Sequence, residues 1–389
     1  MIPLMKHAFL NERETREALS QFVLRAERFS MSSECLSFER KFAAHQVVAE
    51  AILFNSGGSA NLALLQALKN LGRLKSGDMI GFSALTWSTN VMPIIQLGFE
   101  PIPIDCDPGT LNVMVRDLKE TLERFPLKAI FLTNVLGFLG DLTEIKELCN
   151  ERGVIYLEDN CESLGSVHAG TKSGNFGLAA TFSFFVAHHM STIEGGMVCT
   201  PDDELAEMLR IVRANGWDRN LSAGRQQKWR RSYGIESEFD AKYSFYDLGF
   251  NLRPTEITGF LGNFQLQFLE ENINARERNY LLIESLISRN ADLILLDRSH
   301  VERLSTFALP VVCRSAFLRK KYLERFSGAG IEVRPMIAGN MQRQPFYRKY
   351  VELHLDLPGA DFLHDCGFYC GNYPELSEPD LEAISSCLL

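Results

Sequence analysis

The sequence predicts an α/β protein with a large domain on a mixed, mostly parallel sheet and a smaller α+β domain at the C-terminus. Three observations predict it. Short apolar runs alternate with helical periods from about residue 50 to residue 158, the pattern of strands joined by helical crossovers and covered on both faces. Beyond about residue 250 the alternation gives way to a long helical stretch and two further strand-like runs. At 389 residues the chain is too long for one small core. The expected division is residues 1–250 and residues 251–389.

Taken in order, residues 14–28 and 35–45 read as helices. Ala51-Ile52-Leu53-Phe54 reads as a short buried strand, Asn55 to Ser59 as a turn, and Ala60 to Asn70 as a helix with Leu62, Leu65 and Leu68 on one side. Residues 78–82, 100–105, 128–133 and 154–158 read as further strands, with helices over about 89–97 and 141–152. Pro101 and Pro103 place their strand near a sheet edge, because proline has no N–H to give a ladder. Met197 to Thr200 follows the Gly195-Gly196 turn as a strand. Residues 218–247 are polar and arginine-rich, an expected surface loop or one that orders on binding. Phe260 to Ile287 reads as one long helical region. Strands over 307–312 and 330–334 flank a helix near 315–327, and a last helix starts at Glu378.

Composition narrows the function. There are 40 Lys and Arg against 49 Asp and Glu, a net charge of -9 with no long basic run, which argues against a nucleic-acid or anionic-membrane binder. No apolar run approaches the roughly 20 residues of a membrane-spanning helix, and Met1 to Lys6 is not followed by a signal-peptide core. Cytoplasm is the expected location. Of nine cysteines, Cys366 and Cys370 are four apart, but no second Cys or His pair has zinc-site spacing, so free thiols and no metal are expected.

Ligands of such sheets gather beyond the carboxyl ends of the strands. The turn at Gly57, Gly58 and Ser59 opens a helix and offers free N–H groups to an anion, or simply closes a strand–helix connection. Ser183 can join it as a neutral phosphate donor or merely end a strand. Trp87 offers a flat face for a heteroaromatic ring, or packs in a core. Asp159 ends the 154–158 strand and can face a ring nitrogen or cap a turn. His188 and His189 are adjacent and so point apart, one expected to carry protons and the other to be structural. Arg219, Arg253 and Arg334 can each fork onto a diphosphate or form surface ion pairs.

Several motifs resemble the DegT/DnrJ/EryC1/StrS family of pyridoxal-phosphate enzymes, and the likeness runs the length of the chain. They are Ser56-Gly57-Gly58-Ser59-Ala60-Asn61-Leu62, Trp87-Ser88-Thr89, Leu157-Glu158-Asp159-Asn160-Cys161-Glu162-Ser163, His188-His189 with Glu194-Gly195-Gly196, Arg213-Ala214-Asn215-Gly216-Trp217-Asp218-Arg219-Asn220, Asn251-Leu252-Arg253-Pro254 and Gly330-Ile331-Glu332-Val333-Arg334-Pro335. The resemblance implies an aspartate-aminotransferase-like fold (type I) and a pyridoxal 5'-phosphate or pyridoxamine 5'-phosphate cofactor. Asp159 would bind the pyridine nitrogen, Trp87 would stack on the ring, and Glu162 would sit near the phenolic oxygen. Gly57, Gly58, Ser59 and Ser183 would hold the phosphate with Asn251 of a second subunit, in a homodimer with shared sites. Arg219, Arg253 and Arg334 would line the nucleotide-sugar region.

One position departs from most of the family. Five residues after Ser183, where the aminotransferases carry the lysine that tethers the cofactor, this chain has His188. An imidazole cannot form that bond, although it can move a proton near neutral pH. The resemblance then implies a 3-dehydratase that removes the C3 hydroxyl of a nucleotide-linked 4-keto-6-deoxyhexose, GDP-4-keto-6-deoxy-D-mannose first, with glutamate restoring the cofactor amine. Ile193 and Asn215 depart from the nearest His-type pattern, which has glycine and histidine there. A second His-type group uses an iron–sulfur cluster and a reductase. Its cysteines are not matched, since residues 200–312 contain none, so neither cluster nor reductase is expected. The rival expectations are amine transfer on another lysine, Lys172 or Lys242, and a non-catalytic nucleotide-sugar-binding protein.

Overall fold

A computed structural model describes residues 1–389. Seven strands form the main sheet: β1 (Glu50–Phe54), β2 (Met79–Ser83), β3 (Glu100–Ile104), β4 (Ala129–Thr133), β5 (Ile155–Asp159), and, after the small hairpin β6 (Val167–His168) and β7 (Thr171–Lys172), β8 (Ala179–Ser183) and β9 (Gly196–Thr200). Their spatial order is β1-β9-β8-β5-β4-β2-β3. Only β9 runs against the rest, pairing antiparallel with β1 and β8, while the other pairs are parallel. Proline-containing β3 lies at the edge, as its missing N–H groups require.

The helices begin with α1 (Glu12–Arg25) and α2 (Ser33–Gln46), then α3 (Gly57–Asn70), α4 (Ser88–Gln96), α5 (Val115–Arg124) and α6 (Leu142–Arg152) between strands. After β9 comes α7 (Asp203–Arg213), capped by the Asp202 carboxylate accepting the Leu205 N–H. The arginine-rich segment is not a plain loop: it contains α8 (Ala223–Ser232), no residue of which is buried. The single helix expected over 260–287 is two, α9 (Glu256–Gln265) and α10 (Leu269–Ile287), with a 3₁₀ turn at Leu266–Phe268 between them. Helix α9 packs on α1 and α2.

Beyond α10, a three-stranded antiparallel sheet has the order β10 (Ala308–Val312), β12 (Gly367–Gly371), β11 (Val333–Pro335). The helices α11 (Ala316–Gly328), α12 (Pro345–Tyr350), α13 (Pro358–Cys366) and α14 (Glu378–Leu388) accompany it. A continuous apolar core joins Ile102, Leu136 and Phe138 of the large sheet's layer to Leu309, Phe326 and Phe368 of the small one. All nine cysteines are free, eight of them buried and Cys161 half-buried.

Candidate active site

The carboxyl ends of β1, β4, β5 and β8 meet the loop after β2 around a cavity of about 470 Å³. Strand register brings the distant sequence motifs together there. Thr133, Asp159 and Thr181 lie side by side on β4, β5 and β8. Ser183, Gly196 and Phe54 do the same on β8, β9 and β1.

At one end stands the N-terminus of α3. Ser56 caps it, its Oγ accepting the Ser59 N–H at 3.1 Å, while the N–H groups of Gly57 and Gly58 have no intrahelical partner by their position. Both glycines line the cavity with Ser183. A Cβ on Gly57 would meet Ser183 Cβ at 2.7 Å and Oγ at 2.9 Å, so only glycine lets the helix end come this close to the serine. Gly196 makes the approach possible from below: a Cβ there would lie 2.3 Å from the Ser56 carbonyl oxygen. The result is a cradle of N–H and O–H donors at a helix N-terminus, where an anion is favoured. Ser59 differs from its neighbours. Its N–H and Oγ are engaged with Ser56, and it does not line the cavity.

Asp159 lies on the floor, 3% exposed. Its Oδ2 accepts from the side-chain amides of Asn61 at 3.0 Å and Asn90 at 3.3 Å, and its Oδ1 from the Cys161 N–H at 3.1 Å. These donors fix the carboxylate's orientation and satisfy its charge. The preceding Glu158 points to the other face of β5, where it accepts the N–H groups of Gly174, Phe176 and Gly177 and clamps that turn. Trp87 is the N-cap residue of α4, and half of it is exposed on the cavity wall, so it is not a core residue. Glu162 also lines the cavity and accepts the Leu136 N–H at 2.9 Å. Burial first, then the nearby Asp159 charge, push its pKa up to about 8, against the pull of the Leu136 N–H. Near neutral pH it is largely protonated and can donate a hydrogen bond.

The two histidines divide as adjacency requires. His188 lines the cavity, its ring edge-on to Phe307 at 5.1 Å. Burial, followed by the Arg276 guanidinium, pushes its pKa down to about 3, so it is the neutral imidazole near neutral pH. Arg276 donates to the His188 carbonyl oxygen at 3.3 Å and to that of Phe307 at 2.8 Å, which ties the loop to α10. His189 is 1% exposed, with Nε2 at 3.0 Å from the Ser305 carbonyl oxygen.

Asn251, Arg219, Arg253 and Arg334 do not line this cavity within one chain. Arg219 lies over the Trp217 ring at 5.2 Å, Arg253 donates to Asn251 Oδ1 at 3.0 Å, and Arg334 is paired with Glu332. No lysine lines the cavity either. Lys172 donates to the His45 carbonyl oxygen beside α2, and Lys242 is exposed on a 3₁₀ turn. Sequence reasoning passed over Tyr369, Phe307 and Thr133, which also face the cavity. Only Thr133, at the end of a strand already recognised, had a signal that could have found it.

The donor cradle, the flat Trp87 face and a fixed carboxylate between them fit pyridoxal phosphate. Comparison with known proteins agrees. The DegT/DnrJ/EryC1/StrS aminotransferase family pattern matches residues 11–389. The GDP-4-keto-6-deoxy-D-mannose 3-dehydratase of Escherichia coli O55:H7 is 34% identical over 91% of this chain and 91% of its own length. The dTDP-4-dehydro-2,6-dideoxy-D-glucose 3-dehydratase of Saccharopolyspora spinosa is 29% identical over 98% and 85%. A crystal structure of GDP-4-keto-6-deoxymannose-3-dehydratase with a trapped PLP-glutamate geminal diamine superposes with a TM-score of 0.91, at 31% identity and full coverage of both chains. This is an aspartate-aminotransferase-like enzyme that uses pyridoxal phosphate, and the chain belongs to the DegT/DnrJ/EryC1/StrS aminotransferase family.

Proposed function

We propose that the protein is a 3-dehydratase working with pyridoxamine phosphate on a nucleotide-linked 4-keto-6-deoxyhexose, with GDP-4-keto-6-deoxy-D-mannose as the first candidate. The observation that carries this reading is His188 at the cavity wall, where no lysine is present. The similarity to two 3-dehydratases supports it. When bound, the cofactor supplies an amine for the sugar's C4 ketone and a ring that takes up electrons.

The chain's own residues then have separable tasks. Asp159 keeps the ring nitrogen protonated. The α3 N-terminus and Ser183 hold the phosphate, completed by Asn251 of a second copy in a homodimer. Trp87 covers the ring face, and Glu162 meets its phenolic oxygen. His188 takes a proton from the carbon bearing the amine and returns one to the C3 hydroxyl as it leaves as water. Arg219, Arg253 and Arg334 serve the nucleotide diphosphate, from either copy. Over a cycle the sugar is reduced by two electrons at C3, and glutamate is oxidised by two to 2-oxoglutarate and ammonia. The sugar's oxygen leaves as water, and one water is consumed by glutamate.

The test is incubation with glutamate, cofactor and a panel of nucleotide 4-keto-6-deoxyhexoses, followed by mass spectrometry. The expected product has lost one oxygen, with ammonia and 2-oxoglutarate released in equal amounts. An amino sugar formed without free ammonia would make this an aminotransferase. Failure to bind cofactor or turn over glutamate would make it a binding protein.

A further inference from the structure

The N-terminal segment forms part of the cavity wall. Ile2 pairs parallel with Ile331, its N–H donating to the Gly330 carbonyl oxygen at 2.8 Å and its carbonyl accepting the Glu332 N–H at 2.9 Å. Two residues on, the Leu4 N–H donates to Glu332 Oε2 at 3.0 Å. Leu4 then passes directly over β12. A Cβ on Gly371 would lie 2.5 Å from the Leu4 carbonyl oxygen, so the approach requires glycine there. Gly371 and Tyr369 are two apart on β12 and face the same way, which puts Leu4 and Tyr369 on one side of the small sheet. Both line the main cavity.

Arg334 stands on that same side. It is the direct partner of Tyr369 across the β11–β12 ladder, and residues so paired share a face. Burial, then the Glu162 charge, push the Tyr369 pKa up to about 12, and the opposed charges of Arg334 and Glu332 also reach it. Glu332 Oε1 accepts from Arg334 Nη2, while Arg334 Nη1 donates to the Val333 carbonyl oxygen at 3.1 Å. Two of the five guanidinium N–H groups are thus engaged, and three stay open to an anion. The Arg334 side chain is 49% exposed and that of Glu332 30%, and a pair so open to water contributes little to stability. What the pair does is hold the guanidinium beside Tyr369.

We propose that Glu332 is a clamp that builds the substrate side of the cavity. One carboxylate oxygen holds the N-terminal strand on β12 so that Leu4 walls the cavity, and the other aims Arg334 at the anionic part of a nucleotide sugar. Arg334 then serves the site of its own chain, next to its own Tyr369. This inference rests on the reading of the substrate as a nucleotide sugar. Glu332 is a positioning residue, acting through Leu4 and Arg334.

Calorimetry on the pyridoxamine-phosphate-loaded protein tests it without turnover. The probes are GDP-mannose, dTDP-glucose, UDP-glucose and CDP-glucose, none of which has the 4-ketone, and the tightest binder is carried into the variants. Glu332→Gln keeps an acceptor for the Leu4 N–H but gives up the charge that holds Arg334. It should weaken the probe about tenfold, as expected for one hydrogen bond to a charged group, with cofactor affinity and thermal midpoint near wild type. In an Arg334→Ala background the same change should cost less than about twofold, because the arm it acts through is gone. Glu332→Ala releases both arms, so exchange of the Leu4 amide hydrogen should be fast in it and slow in wild type and Glu332→Gln. Wild-type affinity in Glu332→Gln, an equal loss with and without Arg334, or no probe bound by the wild type would overturn the proposal. Fast Leu4 exchange in the wild type would do the same. If the affinities fall as expected but no sugar is dehydrated, the clamp stands and the proposed reaction fails.

Discussion

Replacing Gly57 by alanine isolates the phosphate cradle from the rest of the site. The added methyl would stand 2.7 Å from Ser183 Cβ, 2.9 Å from its Oγ and 3.3 Å from Cys161 Sγ. Carbon atoms in contact settle at about 3.5–4.0 Å, so α3 and β8 have to part by roughly 0.8 Å. Overpacking of this kind costs about 1–3 kcal/mol, seen as a modest fall in the thermal midpoint. The cofactor loses more. Its phosphate has to span two donor groups that have moved apart, and a hydrogen bond to a charged group contributes about 1.5–3 kcal/mol. Losing one such bond weakens pyridoxal phosphate binding about ten- to hundredfold. Titration of the cofactor-free protein, followed by absorbance, measures this. Gly58→Ala is the milder comparison: its Cβ would meet the Thr89 methyl at 3.1 Å and Thr89 Cβ at 3.4 Å, with no contact under 3.0 Å. Equal affinity in Gly57→Ala and wild type would show that the phosphate is not held at the α3 N-terminus.

Other predictions concern the titratable groups. His188→Asn should keep its fold and cofactor affinity but lose dehydration by about 10²-fold or more, since positioned proton transfer contributes that much; single-turnover rates with a 4-keto sugar decide it. Asp159→Asn leaves three donors facing a group that can no longer accept from all of them, so both stability and turnover should fall, the first by about 1–3 kcal/mol in denaturant melts. Glu162 gives a pH signature. Its pKa is raised from 4.5 to about 8 in the folded protein, so its contribution to stability is fully present below about pH 4.5 and is lost as pH rises toward 8. Thermal midpoints of the cofactor-free protein should show that loss, and Glu162→Gln should remove it. An unaltered pH profile in the variant would place the titration elsewhere.

Much of this architecture was readable from residue patterns, and its gaps have physical causes. The strands from β1 to β5 fell within a residue or two of their observed limits, because buried parallel strands are short apolar runs bounded by turn residues. Helix α8 left no trace since nothing on it is buried, so it has no apolar period. The break between α9 and α10 was hidden because Leu266, Phe268 and Leu269 continue the apolar pattern through the 3₁₀ turn. Strand β12, central in the small sheet, is bounded by Gly367 and Gly371 and reads like a turn. At the site, the motifs named Gly57, Gly58, Trp87, Asp159, Glu162, Ser183 and His188 as members, and the fold brings those seven to one cavity. What holds the two histidines apart was not readable, because it depends on Ser305 and α10, more than eighty residues away. The arginines were not readable either: a lone arginine has no pattern that separates a diphosphate ligand from a surface pair.

The central claim is that His188 moves protons and that no side chain tethers the cofactor. Borohydride treatment of the pyridoxal-loaded protein, followed by intact-mass measurement, tests it with one number. The account predicts an unchanged protein mass and full recovery of free cofactor. A protein heavier by one reduced pyridoxyl phosphate group, mapped to any lysine, would contradict it.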